Sequence, residues 1–204
     1  MRKELEEKNL LIQEVDHRVK NNLQILSSLL ELRLRNLDSD EAKSLLKETI
    51  QRINAMALVH DSMYRSDNLL AIDFKDYLQR LSALLIHAYS LSPETIDLQF
   101  TGNPITLKLQ IALPLGLIFN EMLTNAIKYA FHEGRGTIRV DLGKTDSILD
   151  FAISDNGAGL PDNVDPLNSK TFGFRIIRLL IEQLSGRLQV FRENGTKFIL
   201  NIPV

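Results

Sequence analysis

Four polar side chains recur along the strongly apolar segment at residues 113–131 and just beyond it. They are Glu121, Asn125, Lys128 and His132, at intervals of four, three and four residues. At 3.6 residues per turn, this spacing predicts one polar row along a helix. Burying these groups is costly unless a ligand engages them. Oxygens of Glu121 and Asn125 suit Mg²⁺, and Lys128 suits a phosphate. The alternative is the wet side of a surface helix.

A glycine-rich turn after a predicted strand supplies another carboxylate. The run SDNGAGL places Asp155 at the end of the strand SILDFAI, and Gly157 and Gly159 allow an abrupt turn and a close approach to a ligand. A buried carboxylate that accepts from an exocyclic amine is a simple way to select adenine. The segment NSKTFGFR precedes a predicted helix, so amides near Gly173 could bind phosphate oxygens. Taken alone, DxGxG is also explained as an ordinary turn.

The stretch DHRVKNNLQ at residues 16–24 places a histidine in an amphipathic segment. His17 is two residues from both Val15 and Val19, about 200° round a helix, so it is predicted to face solvent. An imidazole there can attack phosphorus as a neutral nucleophile without a strong base. The groups that could orient the ring or steady a phosphate are Asp16, Glu121, Arg18 and Lys20. The alternative is a solvated surface histidine.

The elements around His17 are predicted to be two long helices in a hairpin, over residues 1–67. Apolar residues advance in steps of three or four up to about residue 37, and a second amphipathic run follows a polar break at residues 36–40. The stripes are Ile12, Val15, Val19, Leu23, Leu26, Leu30, Leu34 and Leu37, then Leu46, Ile50, Ile53, Ala57, His60 and Tyr64. A lone hairpin leaves apolar surface uncovered, which predicts a homodimer with a four-helix bundle.

Residues 68–204 are predicted to form an α+β sandwich, with helices on one face of a mixed sheet. A helix over residues 72–90 has Asp73 as its N-cap, and two short strands flank the turn at residues 102–104. After the apolar helix come four strands, TIRVDLG, SILDFAISD, RLQVFRE and TKFILNI. The interposed helix FRIIRLLIEQLSG is predicted to end at Gly186.

Composition excludes several classes of function. The 204 residues carry 24 basic and 26 acidic side chains, so no excess of positive charge favours nucleic acid or an anionic membrane. No window offers about 20 consecutive apolar residues, so no membrane span is expected in this chain. The absence of cysteine fits a reducing compartment, and a cytoplasmic location is expected. The scattered histidines argue against a metal site built from histidine alone.

Several segments together resemble a known protein family. NEMLTNAIKYA, DNGAGLP, TFGF and GTKFILNIP are similar, in order and spacing, to the N, G1, G2 and terminal boxes of the ATP-binding domain shared by histidine kinases, gyrase, Hsp90 and MutL. HRVKNN resembles the phosphoacceptor box of the sensor histidine kinases in which Arg follows the His, and VHDSMY resembles their second-helix signature. The resemblance to a sensor histidine kinase core covers nearly the whole chain.

The resemblance implies that His17 accepts the γ-phosphoryl group of ATP and passes it to an aspartate on the receiver domain of a response regulator. It implies that Glu121 assists proton removal, Asn125 holds Mg²⁺ and Asp155 reads adenine. Further nucleotide-binding positions that it implies are Lys128, Tyr129, Gly157, Gly159, Gly173 and Thr196. An upstream sensor domain is expected to be absent from this chain.

Two other functions stay open. An ATPase of the gyrase or Hsp90 kind would use Glu121 to activate water. A non-catalytic phosphotransfer or scaffold dimer would have an ATP domain that has lost catalysis. Incubation with γ-labelled ATP separates these functions, because only the kinase leaves an acid-labile label on His17.

Overall fold

The computed structural model describes residues 2–63, 71–89, 95–131, 135–161, 163–169 and 171–204. It begins with a helical hairpin, in which α1 (Arg2–Arg35) and α2 (Asp40–Met63) are joined by a short turn, as predicted. The domain boundary predicted between residues 67 and 68 lies outside the described residues, as do Tyr64 and His132. None of the described helices combines the length and apolarity that a bilayer-spanning segment requires.

Two polar contacts fix the register of the hairpin. Lys20 Nζ lies 2.5 Å from Asp61 Oδ1, and Ser27 Oγ donates to Asn54 Oδ1 at 2.9 Å. Between these contacts the chain advances seven residues on α1 and goes back seven on α2, as expected for antiparallel helices of equal rise. The two helices therefore stay in step along this part of the hairpin.

The apolar stripe predicted for α1 is only partly buried. Its residues Val19, Leu23, Leu30, Leu34 and Leu37 are half-buried, as expected for contact with α2. Val15 and Leu26 of the same stripe are 59% and 50% exposed in the single chain, as expected for apolar surface that a lone hairpin leaves uncovered. The physical reason is that one partner helix covers only one side of α1, and the side chains that point away from it stay exposed.

The second half of the chain is an α+β sandwich with a mixed sheet, as predicted, and this sheet has five strands. Its elements are β1 (Ala71–Asp73), α3 (Phe74–Ala88), β2 (Ile96–Thr101), β3 (Thr106–Lys108), α4 (Leu109–Asn125), a π-helical turn (Ala126–Ala130), β4 (Gly136–Thr145), β5 (Ile148–Asp155), α5 (Phe172–Gln183), β6 (Arg187–Phe191) and β7 (Lys197–Pro203). The sheet order is β2-β4-β5-β7-β6, in which only the β2/β4 pair is parallel. Strands β1 and β3 form a separate antiparallel pair.

The core lies between one face of the sheet and the helices. Alternate side chains of the central strands are buried, as the two-residue period of a strand requires; they are Ile138, Val140, Leu142, Leu149, Phe151, Ile153, Phe198, Leu200 and Ile202. The Phe151 ring meets Phe74 edge-on at 6.0 Å and Phe119 at 6.1 Å, centroid to centroid. Each such side chain contributes about 1.5–3 kcal/mol through burial, and together they hold α3 and α4 against the sheet.

Two local predictions need correction. Ile72 and Asp73 belong to β1 rather than to the following helix, although Asp73 caps it as predicted, accepting from Asp76 N at 3.1 Å. The two strands predicted on either side of residues 102–104 are present as β2 and β3, and they pair with β4 and β1 respectively. The residue that terminates α5 is Ser185 rather than the predicted Gly186. Ser185 adopts the left-handed conformation after the last helical turn, with φ 51°, and the next residue, Gly186, donates its N–H back to Ile181 O at 2.9 Å.

Helix α2 packs into the same core as the sandwich. Ala55 and Val59 of α2 are fully buried there. The hydroxyl of the fully buried Tyr77 on α3 donates to Ala55 O at 3.2 Å. The hairpin and the sandwich therefore share an apolar contact in this arrangement, and α2 is the element that makes it.

Candidate functional site

The predicted polar row begins on α4 and changes course after Asn125. Glu121 and Asn125 are one α-helical turn apart, as predicted, but the chain then opens into the π-helical turn Ala126–Ala130. The prediction of one straight row at 3.6 residues per turn is therefore wrong beyond Asn125, because a π turn takes more residues. Single π turns within helices occur frequently at functional sites, and this one carries Lys128.

Glu121 is held by an arginine of the hairpin. Its carboxylate is 6% exposed and takes two hydrogen bonds from Arg52, with Nε 2.7 Å from Oε1 and an Nη nitrogen 2.8 Å from Oε2. Asn120 Nδ2 donates to the same Oε1 at 3.3 Å. The Arg52 guanidinium carbon also lies 4.9 Å from the centroid of the Phe172 ring, at the start of α5. Arg52 thus joins α2 to α4 and α5 at the predicted catalytic carboxylate.

Lys128 is held by the same stretch of α2. Its Nζ lies 2.5 Å from Glu48 Oε1, one turn before Arg52 on α2. Burial by itself would lower the pKa of Lys128, but the hydrogen bond to Glu48 and the electrostatic effects of Tyr89, Glu48 and Tyr129 together outweigh it, and the pKa is raised. Because Glu48 and Arg52 are neighbours on one helix face, Glu121 and Lys128 point toward the same surface of α2.

The second part of the site surrounds Asp155. Its Oδ1 accepts from Gly157 N at 2.9 Å and from Thr196 N at 3.3 Å. Burial raises the pKa of Asp155 despite these two hydrogen bonds. Gly157 is required because a Cβ there would lie 2.3 Å from Ala130 O, at the end of the π-helical turn. The structure thus brings Asp155, Gly157 and Thr196 together beside the turn that carries Lys128.

Two other predicted glycines lie at opposite ends of this site. Gly159 has φ 76°, and a Cβ on it would lie 3.3 Å from Gly195 O, beside the Asp155 turn. Gly173 is in the first turn of α5, and a Cβ on it would lie 2.8 Å from Glu121 Oε2. Tyr129 is 61% exposed on the π-helical turn. The site therefore has a glycine turn around Asp155 at one end and a helix N-terminus at Glu121 at the other.

The residues present fit Mg²⁺ and ATP. The half-buried Asn125 offers an amide oxygen one turn from the Glu121 carboxylate, and Mg²⁺ takes few protein ligands when phosphate oxygens complete its shell. The tight turn at Gly157 is the kind of backbone that lets a planar base approach closely. The donors at the α5 N-terminus suit phosphate oxygens.

His17 is exposed on α1, and the structure does not bring it to the other site residues. By the register of the hairpin, Arg52 lies opposite Leu29, because Asn54 lies opposite Ser27. Leu29 is twelve residues from His17, which is about 18 Å along the helix at 1.5 Å per residue. Glu121, bonded to Arg52, is therefore about three helical turns away from the level of His17.

Sequence reasoning missed Glu48, Arg52 and Asn120 as parts of the site. The sequence does contain a hint of Glu48 and Arg52, because they are oppositely charged and four residues apart on a predicted helix. That spacing indicates that the two side chains can pair, and it does not indicate which groups on α4 they meet.

Fold and site together have the architecture of a histidine kinase domain, a helical hairpin followed by an ATPase-type sandwich. The structure is similar to the histidine kinase domain of the Erythrobacter litoralis EL346 blue-light activated histidine kinase, with a TM-score of 0.70 and 26% identity, over 97% of this chain and 92% of that one. Acinetobacter baumannii histidine kinase AdeS, at 16% identity and a TM-score of 0.53, covers 86% of this chain and shares the fold.

Sequence comparisons agree with the structural ones. Residues 14–89 match the family described as histidine kinase, and residues 110–204 match the histidine kinase-, DNA gyrase B- and HSP90-like ATPase family. The sensor histidine kinase PdtaS of Mycobacterium tuberculosis is 33% identical over 97% of this chain, and blue-light-activated histidine kinase 2 of Erythrobacter litoralis is 27% identical over 94%. The chain belongs to the histidine kinase family, which confirms the resemblance. It spans 40% of the length of PdtaS and 56% of the second relative.

Proposed function

We propose that this chain transfers the γ-phosphoryl group of ATP to His17 and then to an aspartate on the receiver domain of a response regulator. Residues 1–67 would serve dimerisation and phosphotransfer, and residues 68–204 would bind ATP. The observation that carries the proposal is that α4 and the glycine turn place Glu121 and Asp155 in one sandwich, while the family match that begins at residue 14 includes an exposed His17.

The residues divide the reaction between them. Asp155 accepts a hydrogen bond from the adenine amine, and Lys128 offsets charge on the phosphates. Mg²⁺, when held by Asn125, supplies further charge neutralisation. One nitrogen of the neutral His17 ring forms the bond to phosphorus as the bond from phosphorus to the ADP oxygen breaks. The proton on the other ring nitrogen passes to a carboxylate, which is Glu121 or Asp16. Positioning and electrostatics supply most of the catalysis in such a transfer.

We further propose that the chain is a homodimer through the outer side of the hairpin. Ile25, Leu29 and Leu32 on α1 and Leu45 on α2 are each between 55% and 58% exposed in the single chain. Apolar surface of this kind on two hairpins is covered when they pair in a four-helix bundle. Light scattering on the intact chain is expected to give twice the monomer mass, and Leu29→Asp is expected to give the monomer mass.

The phosphorylation is tested with γ-labelled ATP and Mg²⁺. We expect the wild-type chain to acquire a label that acid removes and alkali does not. His17→Gln is expected to abolish the label, whereas His87→Gln, which alters an exposed histidine on α3, is expected to keep it.

Each other outcome contradicts a specific part of the proposal. Release of phosphate without protein labelling would indicate an ATPase of the gyrase or Hsp90 kind. Failure to bind nucleotide would indicate a scaffold dimer. A label of full intensity on His17→Gln would refute His17 as the acceptor.

A further inference from the structure

In this arrangement α2 occupies two of the charged groups that the proposed function assigns to ATP and to catalysis. Glu48 is bonded to Lys128 at 2.5 Å, and Arg52 is bonded to Glu121 at 2.7 and 2.8 Å. Glu48 and Arg52 also contact each other, with an Arg52 Nη nitrogen 3.4 Å from Glu48 Oε2. These four side chains form one network of alternating charge, and all of them have side chains less than a quarter exposed.

The same arrangement separates the two halves of the proposed reaction. Glu121 is bonded to α2 at a level about 18 Å along the hairpin from His17, estimated from the helical rise. A carboxylate bonded there is too far away to assist proton removal from His17. Phosphoryl transfer to His17 therefore requires the sandwich to leave this position on α2.

We propose that Glu48 and Arg52 form a latch that holds the kinase in a non-phosphorylating arrangement, and that the phosphates of ATP release this latch by competing with Glu48 for Lys128. This proposal rests on the proposed function, because that function assigns Lys128 to phosphate. A carboxylate and a phosphate are both anions, and both cannot occupy the same position at Lys128 without repulsion. Loss of Glu48 from Lys128 removes one of the two ionic links between α2 and the site, which weakens docking of the sandwich.

The latch adds to an apolar contact and does not replace it. Ala55 and Val59 remain buried between α2 and the sandwich, and Arg80 of α3 pairs with Asp61 of α2 at 2.6 Å. These contacts involve none of the predicted nucleotide-binding residues. Release by nucleotide is therefore expected to shift a balance between docked and undocked arrangements rather than to separate the two halves completely.

Thermodynamic linkage makes the latch measurable as a nucleotide affinity. If docking of Glu48 on Lys128 opposes binding of phosphate, then removing the Glu48 charge strengthens nucleotide binding by the same factor by which nucleotide weakens docking. We expect Glu48→Gln to bind Mg²⁺ with a non-hydrolysable ATP analogue at least about fivefold more tightly than wild type, as coupled sites commonly show. Arg52→Gln is expected to change affinity in the same direction. Glu41→Gln, at an exposed acidic position on α2, is the matched control and is expected to leave affinity unchanged.

The movement itself is measured with spin labels, which the absence of native cysteine makes straightforward. Ser44→Cys on α2 and Leu179→Cys on α5 provide two exposed labelling positions, one in each half. Labelled protein is mixed with an excess of unlabelled protein, so that each dimer carries at most one labelled copy. We expect one narrow distance distribution without nucleotide, and a broader distribution at longer distance either with the analogue or in Glu48→Gln alone.

The outcomes separate this proposal from the proposed function. Wild-type analogue affinity in both Glu48→Gln and Arg52→Gln, together with an unchanged distance distribution on adding analogue, would overturn the latch and leave the kinase assignment intact. A wild-type chain that fails to bind the analogue at all would overturn the proposed function and the latch with it.

Discussion

Replacing Arg52 by methionine tests how strongly the ion pair between α2 and α4 contributes to the free energy of unfolding. The Glu121 side chain is 6% exposed and that of Arg52 is 12% exposed, so solvent screens the pair weakly. Because the buried Ala55 and Val59 keep α2 docked, removing one partner of the buried pair leaves an uncompensated charge and costs about 3–5 kcal/mol. For a chain of this size, that cost corresponds to a fall in Tm of about 6–20 °C. Urea unfolding followed by circular dichroism measures it directly.

A double-mutant cycle attributes the loss to the charge left on Glu121. Arg52→Met combined with Glu121→Gln is expected to recover most of the stability, because a neutral amide is less costly to bury than a carboxylate. Arg33→Met, at an exposed position on α1, is the control and is expected to stay within about 0.5 kcal/mol of wild type. A loss below about 1 kcal/mol for Arg52→Met would refute this reasoning, because it is the value for an exposed pair.

Three further substitutions test other parts of the structure. Hydrogen bonds from Lys20 and Arg80 hold the pKa of Asp61 below its usual value. The stabilisation that Asp61 contributes is therefore present above pH 3.8 and is lost as the pH falls through the lower folded pKa. In urea titrations at a series of pH values, Asp61→Asn should reduce this loss of unfolding free energy at acid pH. Burial raises the pKa of Asp155, so its stabilisation is present below pH 3.8 and is lost as the pH rises through the folded pKa. In the nucleotide-free protein, Asp155→Asn should remove this loss of stability with rising pH. In calorimetry, the same substitution should weaken ATP binding at least about tenfold, because it removes about one charge-assisted hydrogen bond. Gly157→Ala should destabilise the protein by about 1–3 kcal/mol in thermal unfolding, because its Cβ would lie 2.3 Å from a carbonyl oxygen.

The helices and strands were largely predictable because their residues follow the periods of their elements. Strands β4, β5 and β7 alternate buried and accessible side chains, and one polar break separates the two long helices. Strand β1 was missed because three residues, Ala71–Asp73, are too few to show alternation. The pairing of β2 with β4 was also not predictable, because it joins segments far apart in the chain and depends on how α3 and α4 pack.

The site was predictable where its residues are local in sequence. Asp155 and Gly157 are two residues apart, and the hydrogen bond from Gly157 N to the Asp155 carboxylate forms within the local DxG motif. The contact between Arg52 and Glu121 spans 69 residues, and Arg52 is one of 24 basic side chains that could have met this carboxylate. The π-helical turn that carries Lys128 was not predictable either, because its sequence has an ordinary α-helical pattern.

Mapping the modified residue shows whether the sandwich transfers the γ-phosphoryl group of ATP to the imidazole of His17. The intact chain is incubated with Mg²⁺ and ATP, digested at neutral to alkaline pH so that a phosphoramidate survives, and its peptides are fragmented in the mass spectrometer. We expect a mass increase of one phosphoryl group on His17, present only when ATP is added. Phosphate found on another residue, or ATP consumed with His17 unmodified, would contradict it.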